Sequence, residues 1–448
     1  MGVVLPVRHQ ASLPASLILQ DAPSAEAIEL DVLIVGAGPG GLACAIQLAR
    51  SNPALAIGVL EKASALGEHV LSGAVVNPVA LRALFPDKTD ADFPFRQAVS
   101  GESVYYLTAS RALHIPTPPT MRNHGHFVAS LSELVRWLGT EAEALGVNIF
   151  PGLPAASLLV DGRRVIGVRT TPAGLDREGQ PTDVHQDVTD LTAKVVVLAE
   201  GTRGPLGQAW RDWQNVTSEN PQIFALGVKE VWEVARPLDR VIHSMGWPLP
   251  SDAFGGSFCY PMGPSQVAIG LVVGLDYHDA ALDVHELLQR MKLHPLFRDV
   301  LTGGTLLEWG AKTIPEGGYY AVPSRLSGDG LVMIGDTAGL VDVPSLKGIH
   351  YAMESGMLAA TAIAGALAAP GGADLRLLEA YDHAVRQSRI MRDLYTTRNM
   401  RLAFKDGFVT GAIKAGLMTL TGGSFPGGRI DMPKDAETPR MSHLTTPF

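Results

Sequence analysis

The tightest constraint on this chain lies between Glu29 and Arg50, ELDVLIVGAGPGGLACAIQLAR. An apolar run, Val32, Leu33, Ile34 and Val35, meets three spaced glycines and then a series of strong helix formers. This order predicts a strand, a tight turn and a helix. A run that is apolar on both faces belongs in the middle of a parallel sheet with helices on either side. Gly36, Gly38 and Gly41 supply the spacing G-x-G-x-x-G. Gly36 permits the sharp turn, Gly38 has no Cβ to hold a pyrophosphate away from the backbone, and Gly41 lets the helix lie close to the strand. The first turn of that helix points free N–H groups at the phosphates.

The motif alone is weak, and its context strengthens it. A second strand, Ile57 to Leu60, ends at Glu61, 20 positions after Gly41. A carboxylate there accepts hydrogen bonds from the ribose hydroxyls of an adenosine. Leu331 to Gly339, LVMIGDTAG, is another buried strand running into Gly335 and Asp336. In flavoproteins of the glutathione-reductase type, such a late strand brings an Asp to the ribityl and pyrophosphate part of FAD. FAD is therefore expected in preference to NAD. Thr192 to Gly201, TAKVVVLAEG, reads as a third buried strand beside the first.

Composition narrows the partners. The 448 residues, 46% hydrophobic, can bury a large core spread over two or three domains. A net charge of -9 argues against nucleic acid. The two cysteines, Cys44 and Cys259, cannot by themselves hold a four-cysteine cluster, and Cys44 reads as a small packing residue in the first helix. No stretch reaches the ~18 uninterrupted apolar residues of a spanning helix.

Along the chain, 1–29 reads as a flexible extension. Residues 30–220, together with 331–370, form the FAD-binding domain. Residues 221–330 alternate aromatic and β-branched positions and form an antiparallel-sheet domain. Residues 371–448 are helices and a linker. The fold class is α/β, a Rossmann-type nucleotide domain with an inserted antiparallel sheet. Ser130 to Leu145 reads as an amphipathic helix with Ser130 and Glu133 as a capping box. Leu375 to Tyr395 reads as one polar helix. His124 and His126 sit in a hydrogen-bonding loop, without a third ligand for a metal. Two stretches, Val79 to Phe85 and Phe404 to Leu420, pack on the core or lie in a bilayer surface. Leu71, Ser72 and Gly73 form a small-residue turn able to approach a flat ring.

The motifs LSGAVVNP, NHGHFVASL, LAEGTRGPL, FGGSFCYPM, GLVVGLDY, EGGYYAVP and VDVPSLKGIHYAMESGMLAA, joined to the first one, give a joint signature. From residue 31 to the end the chain resembles the electron transfer flavoprotein–ubiquinone oxidoreductases. The resemblance implies FAD-dependent electron transfer from reduced electron transfer flavoprotein to ubiquinone, on the inner mitochondrial or bacterial cytoplasmic membrane. It assigns FAD to Val35, Gly36, Ala37, Gly38, Pro39, Gly40, Gly41, Glu61, Lys62, Ser72, Gly201, Gly335 and Asp336. It assigns the quinone ring to Gly255 and Gly256, and it implies membrane-embedded segments at about 71–90 and 408–428. It also implies a C-terminal ferredoxin-like domain with a [4Fe–4S] cluster, for which this chain has no cysteine set. A separate ferredoxin partner, as in the related Fix-type flavoproteins, or a flavin-binding fragment inert alone are the other expectations, along with an isoprenoid-reductase-like activity. The flavin is expected to carry the chemistry, with no catalytic side chain.

Overall fold

The computed structural model describes residues 3–4, 17–70, 73–176, 178–369, 375–434 and 441–442. Two large sheets face each other, and each takes its core from the residues that the sequence makes apolar. In the first, the parallel strands Asn148–Pro151, Ile57–Glu61, Ile28–Val35 and Asp190–Leu198 lie side by side, with Leu331–Met333 parallel to the last. Val32, Leu33 and Ile34 are completely buried in it. The hairpin Ala155–Asp161 and Arg164–Thr170 extends this sheet antiparallel.

The helices Pro39–Ser51 and Ile349–Leu367 cross above the sheet at close range because both are built of small residues. A Cβ on Gly40 would stand 2.9 Å from the Ala352 carbonyl oxygen, and one on Gly356 would stand 2.3 Å from that of Gly40. Backbone approach of this kind is what glycine permits and any side chain prevents.

The second sheet runs Thr305–Pro315, Phe224–Glu233, Gln266–Gly274, Gly255–Pro261, Val241–Gly246, Glu102–Leu107 and Ala112–Ile115. Alternation sorts its side chains. Val228, Ile242, Cys259, Ile269, Leu271 and Val273 pack beneath the helices Val284–Lys292 and Pro295–Leu301. Val231, Val241, Tyr260, Met262 and Ala268 turn the other way and meet Val75 and Val128 of the first half.

Several expectations differ from what the fold shows. The hairpin 102–115 belongs to the second sheet, through a parallel pairing of Glu102–Leu107 with Val241–Gly246. A boundary at 221 misses it, because local periodicity carries no information about a partner strand more than a hundred residues away. Within 1–29, Ile18–Leu19 pairs with Leu158–Leu159, and Asp190 accepts from the Ser24 N–H at 2.9 Å, so residues 17–29 are tied to the sheet. The segment 375–395 is interrupted at Ser388 between the helices Glu379–Gln387 and Arg389–Thr396. Val79–Leu84 is a core helix, with Leu81 and Leu84 each 1% exposed.

Ser130 caps Leu131–Glu143 by accepting from the Glu133 N–H, but the Glu133 carboxylate turns away to Arg96. The reciprocal half of the capping box is therefore absent. Ser130→Ala should cost about 1 kcal/mol. Glu133→Ala loses only a half-exposed ion pair, worth less than about 1 kcal/mol. Urea titration of both variants should rank them in that order.

Candidate functional site

The two sheets enclose one cavity of about 960 Å³. That lies at the upper end of the ~300–1,000 Å³ range of ligand sites and suits a long ligand. At one end stands the Gly-rich turn. Its glycines serve different needs: a Cβ on Gly36, which has φ 109°, would sit 2.3 Å from the Ala199 carbonyl oxygen, and one on Gly41 would sit 2.1 Å from that of Gly36. Both are therefore required by strand and helix packing. A Cβ on Gly38 would meet nothing within 4 Å, so that position opens onto the cavity.

Glu61 ends its strand with both oxygens engaged. One accepts from the Ala37 N–H at 3.1 Å and the other from the Ala63 N–H at 2.9 Å, which fixes the carboxylate at the rim of the turn. Across from it, Gly335 donates its N–H to the Ser355 hydroxyl at 3.0 Å. Asp336 accepts from the Thr202 hydroxyl at 3.3 Å. Burial raises the Asp336 carboxyl, opposed by that hydroxyl and by the Lys312 charge. Gly201 follows Glu200, whose carboxylate accepts from the Leu206 and Gly207 N–H groups at 3.2 and 2.8 Å. Burial pushes Glu200 up to about 7.

Val35 through Gly41, Glu61, Lys62, Gly201, Gly335 and Asp336 all line this one cavity, although they come from four separate stretches of chain. Ser72, with Leu71, lies outside the described residues. Gly255 and Gly256 also line it, from the second sheet. Their missing side chains are explained without a ligand, since a Cβ on Gly255 would stand 2.2 Å from the Val272 carbonyl oxygen, and one on Gly256 would stand 2.5 Å from that of Ser244. Close strand packing demands both glycines, and their bare backbone then faces the cavity.

Sequence reasoning missed three lysines. Lys229 lies on the inward face between Gly227 and Val231 and donates to the Gly73 carbonyl at 2.9 Å, bridging the two halves. Burial lowers it to about 7. Lys312 pairs in register with Gly227, and its amine sits among Lys62, Asp336 and Glu61. Neither Lys62 nor Lys312 has an ion-pair partner among the described residues. Lys347 is the third. The findable signal was period-two alternation, which places Lys229 and Lys312 on inward faces where apolar residues are the rule.

Toward its far end the cavity passes an ion-paired arginine and then an apolar helix. Arg401, bonded to Glu316 at 2.6 Å and Asp276 at 2.8 Å, stacks 4.1 Å over Phe254, which leans on Phe404. Beyond them the helix Phe408–Leu420 turns Phe408, Ala412, Ala415, Gly416 and Thr419 to the cavity. The adjoining stripe, Val409, Ile413 and Leu420, does not line the cavity and is 72%, 61% and 84% exposed. Tyr106 on the neighbouring hairpin touches Phe408, and Leu113 of the same hairpin is 52% exposed. Among the described residues no helix is long and apolar enough to cross a membrane.

The described residues also hold no group of three or more side chains able to bind a metal. His126 faces Asn123 at 3.5 Å. Cys44 and Cys259 are buried free thiols, pushed up to about 12.

A family model described as ETF-QO, ubiquinone-binding matches residues 224–314, which include most of the second sheet. A Thi4 family model matches residues 21–83. The mitochondrial electron transfer flavoprotein-ubiquinone oxidoreductase of Arabidopsis thaliana is 41% identical over 398 residues, 86% of this chain and 62% of that protein. The protein of the same name from Pseudomonas aeruginosa is 37% identical over 435 residues, 94% of this chain and 78% of that protein. This chain thus spans less than two thirds of the Arabidopsis relative. Among solved structures, a geranylgeranyl bacteriochlorophyll reductase-like protein from Thermoplasma acidophilum superposes with a TM-score of 0.68 at 19% identity, covering 91% of this chain and 94% of that one. A flavin-dependent brominase superposes with a TM-score of 0.59 at 17% identity, covering 88% and 94%. At such identities the likeness is one of fold.

Proposed function

Because the chain belongs to the electron transfer flavoprotein–ubiquinone oxidoreductase family, we propose that it binds FAD and passes electrons from reduced electron transfer flavoprotein to ubiquinone at a membrane surface. The observation that carries this reading is the continuity of a single cavity. It begins at a phosphate-ready glycine turn and ends at an apolar helix whose outer stripe faces away from the protein.

The residues fit a flavin dinucleotide. The open space at Gly38 and the free N–H groups of the first helical turn suit the pyrophosphate. Glu61 suits the ribose, and Asp336 suits the ribityl chain. Lys312, which stands between those two acids with Lys62, suits the phosphate charge between them. FAD supplies the chemistry of accepting electrons one at a time and releasing them in a pair. The chain's own work is to hold that group, keep water from the ring and present Gly255, Gly256 and Phe254 to a flat acceptor. The described residues do not fit a [4Fe–4S] cluster, and no step here runs through one.

The apolar stripe 409–420, with Leu113 on the adjacent hairpin, is the surface that would rest on the bilayer, so that a lipid-dissolved quinone enters beside Phe408. Of the two segments expected at the membrane, 71–90 contributes the buried helix Val79–Leu84, and the hairpin tip takes its place.

Purified protein given reduced electron transfer flavoprotein and a short-chain ubiquinone should form quinol. No quinol, with or without an added ferredoxin, would overturn the reading. Lys312→Gln should weaken FAD binding about 10- to 100-fold, as expected for loss of one charge-assisted contact, while Lys312→Arg stays within about threefold. Fluorescence titration of the apoprotein with FAD measures both. Equal affinity in parent and Gln variant would remove Lys312 from the phosphate site.

A further inference from the structure

Beyond the Gly-rich turn, the cavity wall carries a titratable cluster outside the residues assigned above to FAD. Lys347 ends the turn 342–347, just before the helix Ile349–Leu367, and is 7% exposed. Its Nζ donates to the Asn123 side-chain oxygen at 2.7 Å and to the Ser345 carbonyl at 2.9 Å. Asn123 is itself held by Glu102, whose carboxylate accepts from the Asn123 backbone and side-chain N–H groups at 2.9 Å each. Among the described residues nothing accepts from the third N–H of Lys347, and the residue lines the cavity.

The groups that feel its charge come from every neighbouring element. They are Glu102 on the strand, His126 after Asn123, His243 on Val241–Gly246, Asp342 at the start of the turn and His350 on the helix. Burial lowers His126 to about 4 and His243 and His350 to about 3; the Lys347 ammonium adds to this in all three, after the Arg389 charge at His350. His243 is further fixed by a 2.9 Å contact between its Nε2 and the Tyr260 hydroxyl. At neutral pH these imidazoles hold no spare proton, and the ammonium does.

We propose that Lys347 is the general acid of quinone reduction. This rests on the quinone reading given above. Converting a quinone to a quinol takes two electrons and two protons, and in that reading the electrons come from the reduced flavin. Each new O–H bond forms as an N–H bond of Lys347 breaks, and the neutral amine regains a proton from water before the second transfer. Burial draws Lys347 down to about 8, close enough to neutrality for release and recharging.

The test compares flavin-loaded, pre-reduced parent protein with Lys347→Arg and Lys347→Met, mixed with a short-chain ubiquinone. Since only the ammonium donates, the parent rate should fall as pH rises through about 8. The Arg variant keeps the positive charge and a donor for Asn123, yet a guanidinium does not give up its proton at working pH. Its rate should therefore drop about 100-fold, with a flat pH profile and a KM within about threefold of the parent. A merely structural anchor would be rescued by Arg.

A readout without turnover accompanies this. In oxidised protein with ¹³C-methylated lysines, the NMR signal missing from Lys347→Arg should move when the ubiquinone is added. An unmoved signal, or an Arg variant matching the parent in rate and pH profile, overturns the inference alone. A parent protein inert toward the quinone overturns the functional reading as well.

Discussion

Gly38→Ala and Gly41→Ala should both purify without flavin, but for opposite reasons that denaturant titration of the apoproteins separates. A methyl on Gly41 would lie 2.1 Å from the Gly36 carbonyl oxygen, 3.2 Å from an Ile34 methyl and 3.3 Å from the Ala199 Cβ. None of these atoms is the end of a long flexible chain, so the helix must lift off the strand. Overpacking at a buried strand–helix contact costs about 3 kcal/mol, and the phosphate cradle moves with the helix. Gly38 is different, because a methyl there meets no protein atom within 4 Å. Apoprotein stability should stay within about 0.5 kcal/mol of the parent, the range of a change that disturbs no packing. FAD affinity should nonetheless fall about 100-fold, because the methyl occupies the space through which the pyrophosphate reaches the backbone. A Gly38→Ala protein that holds FAD as tightly as the parent would place the phosphates elsewhere in the cavity.

Replacing Val409, Ile413 and Leu420 together by Asp should release the protein from lipid vesicles while leaving its fold and its flavin untouched. The three side chains are 72%, 61% and 84% exposed and do not line the cavity, so the folded protein in water loses almost no packing. At a bilayer each would bury an apolar side chain worth about 1.5–3 kcal/mol. Losing three should lower partitioning by more than about 1,000-fold, and the added charges lower it further. Vesicle flotation, read beside flavin absorbance and the melting temperature, measures this. Unchanged flotation with intact flavin would assign the stripe to a protein partner. Substitutions at Leu81 or Leu84 would give no such clean result, since both are core residues and would unfold their helix before reporting on any membrane.

The nucleotide half was the more legible part of this chain. Its signals are local and stringent. A four-residue apolar run bounded by a glycine turn reads as a central strand, glycines at 36, 38 and 41 suit a turn with a close helix, and Glu61 follows at the distance a βαβ unit sets, so that each signal supports the others. The place of the two short apolar segments was legible only as a choice. Val79–Phe85 and Phe404–Leu420 are both short apolar segments, and amphipathic spacing is the same whether the apolar face meets a core or a bilayer. Packing made the choice, burying Leu81 and leaving Val409 in the open.

By itself the sequence determined the βαβ frame with its spaced glycines and the acid that ends its second strand, and the presence of a second, antiparallel sheet, because each is written in contiguous spacing and composition. Only the tertiary structure decided that the hairpin 102–115 completes that second sheet, that Lys229 and Lys312 cross from it to the first half, and that Lys347 gathers Asn123, His126, His243 and His350 around one cavity wall. Lys229 reaches Gly73 across 156 positions of the chain, and Lys347 reaches Asn123 across 224. Such meetings depend on how whole sheets dock, through burial and strand register summed over the molecule, and no local pattern of side chains encodes them.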